Sequence, residues 1–168
     1  MRGQDQAAPL GDASGFRFAV VVSRFNEEVT ARLRDAALTA LKEAGAADGN
    51  VQVLAVPGAF EIPQAARAAA ESGRFEAVVC LGCIIRGETP HFEYIASAVA
   101  QGITDAAGDT GVPMAFGVLT TDTPAQAAAR SGPGPDNKGR EAAAAAIEMA
   151  TLYKSLAGGS NRPFGFRA

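Results

Sequence analysis

Positive charge is not in surplus in this 168-residue chain: 15 Lys and Arg stand against 18 Asp and Glu, for a net charge of −3. That balance argues against a nucleic-acid binder, which carries a basic excess on one face. Long hydrophobic runs are missing too, and none approaches the roughly 18–20 residues a membrane span needs. The opening MRGQDQAAPLGDASG has no apolar stretch that could serve as a secretion signal, so the expected location is the cytoplasm. One histidine and two cysteines are too few for a four-ligand zinc site, and no metal site is expected. The two thiols, Cys80 and Cys83, frame a C-L-G-C motif. Redox pairs of that spacing sit at a helix N-terminus, where the dipole activates the thiol. Here the pair lies inside the apolar run 77–85, which reads as a buried strand and sends the two side chains to opposite faces.

What is present describes one globular domain. Hydrophobic residues make up 48% and charged residues 20%, enough apolar material for a sizeable core. Alanine is over-represented, at 37 residues, while tryptophan is absent and tyrosine occurs twice. Small side chains let helices approach closely, which suggests a surface suited to packing against copies of itself.

Residues 1–15 read as a flexible N-terminal arm, 16–157 as a single α/β domain, and the Gly-, Ser- and Arg-rich 158–168 as a tail. Strands are expected at 16–23, 51–56, 77–85 and 113–119, and helices at 27–44, 63–72, 90–109, 124–130 and 138–157. In the first helix Val29, Leu33, Ala36, Ala37, Ala40, Leu41 and Ala44 share one face at the 3.6-residue period, and Gly45 is its stop signal. Near-continuous apolar strands alternating with helices imply a mainly parallel four-stranded sheet covered on both faces. The expected architecture is a three-layer α/β/α sandwich of the doubly wound, flavodoxin-like type.

In such sheets ligands bind at the carboxyl ends of the strands, so the loops there are the places to search. They contain Arg24, Phe25 and Asn26; then Ala59, Phe60 and Glu61; then Gly87, Glu88, Thr89, Pro90 and His91; then Thr120 to Thr123. In the third, Thr89 is a candidate helix N-cap and Pro90 a suitable first helical residue. Backbone N–H groups around 87–89 then form an anion cradle. Glu88 has to turn its carboxylate away from it, and His91 stands beside it as a proton carrier, imidazoles serving that role near neutral pH. Phe25 and Phe60 can stack on a planar heterocycle or simply anchor their loops. Glu61 can accept hydrogen bonds from sugar hydroxyls or serve as a helix-start carboxylate. Arg130 can clamp a phosphate or be a surface charge. The glycine spacing of GPDNKG at 134–139 continues with Arg140 where a P-loop needs Lys-Ser/Thr, so that motif is rejected and Asn137 becomes a helix N-cap. With no activated nucleophile, the site suits a substrate that brings its own, such as an amine.

RFN at 24–26, VPGAFEIP at 56–63, IRGETPHFEYI at 85–95, FGVLTTDT at 116–123 and NKG at 137–139 occur in order. Together they resemble the 6,7-dimethyl-8-ribityllumazine synthases across about 16–156. The resemblance implies condensation of 5-amino-6-(D-ribitylamino)uracil with 3,4-dihydroxy-2-butanone 4-phosphate, with release of phosphate and water and with no cofactor. It implies that Phe25 stacks on the pyrimidine with Asn26 beside it, and that Ala59, Phe60 and Glu61 line the ribityl pocket. By the same resemblance the backbone of Cys83, Ile84 and Ile85 reads the uracil edge, amides of Glu88 and Thr89 with Arg130 hold the phosphate, and His91 shuttles protons. Phe116 is implied to come from a neighbouring subunit, with Lys138 and Glu141 close by. That implies a homo-oligomer with shared sites, a pentamer or an icosahedral shell. SGPGPD at 131–136 departs from the family's usual loop there, which bears on shell assembly. Rival expectations are an archaeal-type riboflavin synthase relative, which needs no phosphate clamp, and a non-catalytic flavin-binding or shell protein.

Overall fold

The computed structural model describes residues 9–158. Four strands form its sheet: β1 (Phe18–Ser23), β2 (Val51–Val56), β3 (Ala77–Ile85) and β4 (Met114–Thr121). They are hydrogen-bonded in the order β2-β1-β3-β4, and every pairing is parallel. The helices are α1 (Glu27–Glu43), α2 (Ile62–Glu71), α3 (His91–Thr110), α4 (Pro124–Arg130) and α5 (Lys138–Leu156). Single 3₁₀ turns at Asp48–Asn50 and Ala59–Glu61, unmarked by any periodicity in the sequence, precede β2 and α2.

Alternation along the strands divides the core into two layers. Phe18, Val20 and Val22 of β1, with Val79, Leu81 and Cys83 of β3, pack on the face covered by α1 and α5. Ala19, Val21, Val78 and Cys80 point to the opposite face, against Ile62 and Ala66 of α2 and Val99 and Ile103 of α3. The sandwich therefore has helices on both faces of an all-parallel sheet, as continuous apolar strands require.

Part of the abundant alanine is used inside the chain. Ala37 and Ala40 of α1 and Ala142, Ala143, Ala146 and Ala150 of α5 are buried together in one core layer. Gly139 completes that contact: a Cβ built there would stand 2.0 Å from the Leu33 carbonyl oxygen. At the far end of α1, Gly45 has φ +98°, the left-handed turn that stops the helix.

Several boundaries differ from expectation. β1 starts at Phe18, two residues late, and β4 runs on through Thr120 and Thr121 because they pair with Ile84 and Ile85. α3 begins at His91 with Pro90 as N-cap and no side-chain cap, so Thr89 does not cap it. Asn137 does cap α5, accepting from the Gly139 N–H at 2.8 Å. Of the expected N-terminal arm, residues 9–15 lie against the domain. Ala13 is fully buried and donates its N–H to the Ala44 carbonyl, and Leu10 packs on the core. Residues 1–8, and 159–168 of the expected tail, fall outside the described residues.

Candidate active site

Three strand ends and the loops behind them enclose a cavity of about 330 Å³ at the carboxyl edge of the sheet. Backbone bonds fasten the first two loops to each other: Arg24 N–H donates to Val56 O at 2.8 Å and Phe25 N–H to Pro57 O at 3.1 Å. Phe25 is thereby held at the rim, 71% exposed, and Phe60 stands on the neighbouring loop, 52% exposed. Two large apolar rings are thus left open to water beside the cavity, and exposed aromatic faces are what a flat ring stacks on.

Asn26 joins the first loop to β3. Its backbone has φ 60° and ψ 46°, the left-handed region that asparagine tolerates better than most residues. From there its Nδ2 donates to the Cys83 carbonyl at 3.0 Å. Glu61 is engaged locally as well: its Oε2 accepts the Gly58 N–H at 3.0 Å, and its own N–H donates to Gly58 O. The carboxylate thus shapes the turn beneath Phe60 rather than forming the cavity wall.

The floor is the end of β3, where Cys83, Ile84 and Ile85 line the cavity. Gly87 and Thr89 of the next loop form one side, followed by His91, Phe92 and Ile95 on the first turns of α3. Glu88 is exposed and does not line the cavity. Arg86 lies over the ring of Phe92, 4.4 Å from its centroid, and pairs with both Asp122 and Glu93. These contacts raise the guanidinium pKa through the hydrogen bond to Asp122 and then that to Glu93, while the bond from Arg86 holds the Glu93 carboxyl below its ordinary value.

Neither thiol is activated. Burial pushes Cys80 up to about 12 and Cys83 to about 11, and both are free thiols on opposite faces of β3. Cys83 meets the cavity as backbone and packing, not as a nucleophile.

Phe116, Arg130 and Lys138 lie elsewhere. They line a second cavity of about 290 Å³ with Glu141, formed by β4, the end of α4 and the start of α5. No residue lines both cavities. Phe116 is 49% exposed, Arg130 bonds back to the Gln126 carbonyl at 3.0 Å, and Lys138 pairs with Glu141 at 2.6 Å. The structure therefore gathers Phe25, Asn26, Ala59, Phe60, Cys83, Ile84, Ile85, Thr89 and His91, and keeps Arg130 apart from the loop of Gly87 and Thr89. Phe92 and Ile95 were missed from sequence; the i, i+4 spacing of Ile95 from His91 is the signal that places it on the same helix face.

Comparison with known proteins identifies relatives over most of the chain. The family model described as 6,7-dimethyl-8-ribityllumazine synthase matches residues 15–154. A protein named 6,7-dimethyl-8-ribityllumazine synthase, from Syntrophus aciditrophicus (strain SB), is 54% identical over 144 residues. The aligned segment covers 86% of this chain and 94% of that relative.

Proposed function

The chain belongs to the 6,7-dimethyl-8-ribityllumazine synthase family, and on that footing we propose how its own residues divide the work of the reaction. It is a transferase that condenses 5-amino-6-(D-ribitylamino)uracil with 3,4-dihydroxy-2-butanone 4-phosphate, the penultimate step of riboflavin synthesis. The observation that carries the assignment of roles is the 330 Å³ cavity between Phe25, Phe60 and His91. Phe25 stacks on the pyrimidine, the backbone from Cys83 to Ile85 reads its polar edge, and Ala59 and Phe60 flank the ribityl chain above the turn that Glu61 shapes. Amides of Glu88 and Thr89 receive the phosphate.

The exocyclic amine of the uracil attacks the ketone carbon, and the imine forms as water leaves. Phosphate then departs by elimination, with His91 moving protons between the two substrates. The ribityl-bearing nitrogen closes the second ring, and water is lost again. The nucleophile is already in the substrate, so orientation within the cavity supplies much of the rate.

Assembly completes the site in this reading. Phe116, Arg130 and Lys138 share one cavity, so a neighbour that brings Phe116 to a site brings Arg130 with it as phosphate clamp. The protein is then a cytoplasmic homo-oligomer, a pentamer or a shell of pentamers, with each site built from two copies. Formation of the fluorescent lumazine from the two substrates, above a protein-free control, is the direct test. An assembled sample with no turnover above that control overturns the reading.

A further inference from the structure

The segment 86–90 delivers Gly87 and Thr89 to the first cavity and leads directly into His91, yet it belongs to no helix or strand. Among the described residues, its side-chain hydrogen bonds all come from Arg86. The Arg86 N–H donates to the Thr121 carbonyl at 2.8 Å, continuing the β3–β4 ladder by one step. Its Nε donates to Asp122 Oδ1 at 2.7 Å, its Nη1 to Glu93, and its guanidinium plane lies over Phe92. One side chain thus ties together the end of β3, the loop after β4 and the first turn of α3.

Those partners are placed where they set the direction of His91. Phe92 and Glu93 are the next two residues of the same helical turn, and no side chain caps that helix. Holding both fixes how the first turn is rotated. Each ion pair is exposed and of little weight for global stability. Orientation is different, because displacement of a reacting group by about 1 Å can cost up to about 100-fold in rate.

We propose that Arg86 is a positioning residue for the condensation: by clamping Asp122, Glu93 and Phe92 it aims His91 and the backbone of 87–89 at the phosphate-bearing substrate. This rests on the lumazine synthase roles given above. The aromatic shelf of Phe25 and Phe60 is built on other loops, and the backbone from Cys83 to Ile85 is held by its own pairing with β4, so pyrimidine binding does not depend on the clamp.

Steady-state kinetics of Arg86→Met, Arg86→Lys and Glu93→Gln, each checked for assembly and thermal midpoint, test the assignment. Arg86→Met is expected to lower kcat about 10- to 100-fold and to raise KM for the butanone phosphate severalfold. KM for the ribitylaminouracil stays unchanged. Arg86→Lys recovers part of the loss, because an ammonium pairs with a carboxylate but lacks the planar fork that holds two while stacking. Glu93→Gln shifts the same parameters in the same direction by less. Unaltered kinetics in Arg86→Met, a loss of kcat with both KM values unchanged, or an equal rise in both KM values overturns the proposal alone. A wild-type protein that forms no lumazine overturns the underlying reading, and the proposal with it.

Discussion

His91 is the sole histidine of the chain and stands exposed on the first turn of α3, at the mouth of the first cavity. Its removal leaves the core untouched, so His91→Ala should assemble normally while turnover falls about 100-fold or more, the usual contribution of a positioned proton carrier. Turnover equal to wild type would take His91 out of the mechanism. The cysteines report on burial instead. Their folded pKa values, about 12 for Cys80 and about 11 for Cys83, lie above the ordinary 9.0. Each contributes stability that is complete below pH 9 and is lost as pH rises toward 11–12, because the unfolded chain releases those protons first. Urea midpoints should therefore decline through that alkaline window, and a Cys80→Ala, Cys83→Ala double variant should lose that part of the decline. A decline of equal size in the double variant would assign it to other groups.

At the scale of the element, the contact between α1 and α5 is the tightest constraint on this fold. Gly139 sits one residue inside α5 with the Leu33 carbonyl where its Cβ would be, 2.0 Å away. Gly139→Ala should cost about 1–3 kcal/mol or more, since both helix backbones must separate. Thermal unfolding measures it, and a variant as stable as wild type would show that the helices can part freely. Apolar period and glycine punctuation made these helices legible from sequence. Their ends were less so: Thr120 and Thr121 are polar, and only pairing with Ile84 and Ile85 extends β4 through them. Thr89 has the chemistry of a cap, but α3 starts after Pro90 and leaves its side chain unused. Capping depends on where the first helical bond closes, which local composition does not specify.

At the scale of the molecule, the separation of the two cavities is what matters. If each site takes His91 from one copy and Arg130 from the next, neither residue acts in its own chain alone. His91→Ala and Arg130→Ala should then each be inactive as pure assemblies. Unfolded together and reassembled as mixed oligomers, they should regain activity at about a quarter of the sites. Mixtures no more active than inactive parents would place both residues in the same copy's site, whereas an active pure Arg130→Ala assembly would put Arg130 outside it. Dilution of the wild type to monomers should abolish turnover for the same reason, with activity and sedimentation followed on one sample.

Sequence by itself determined the sheet, the layers and most of the first cavity's wall. Those follow from period and from the rule that loops at strand ends carry the site, and both are local or topological properties. Tertiary structure alone decided which of those loops meet. It bound Asn26 to the Cys83 carbonyl and turned the Glu61 carboxylate onto Gly58. It set Arg86 between Asp122 and Glu93, and it carried Arg130 to the far cavity beside Phe116. Such pairings join residues up to 57 positions apart. They depend on strand order and on the angle at which each helix leaves the sheet, quantities that packing of the two core layers sets and no single segment encodes.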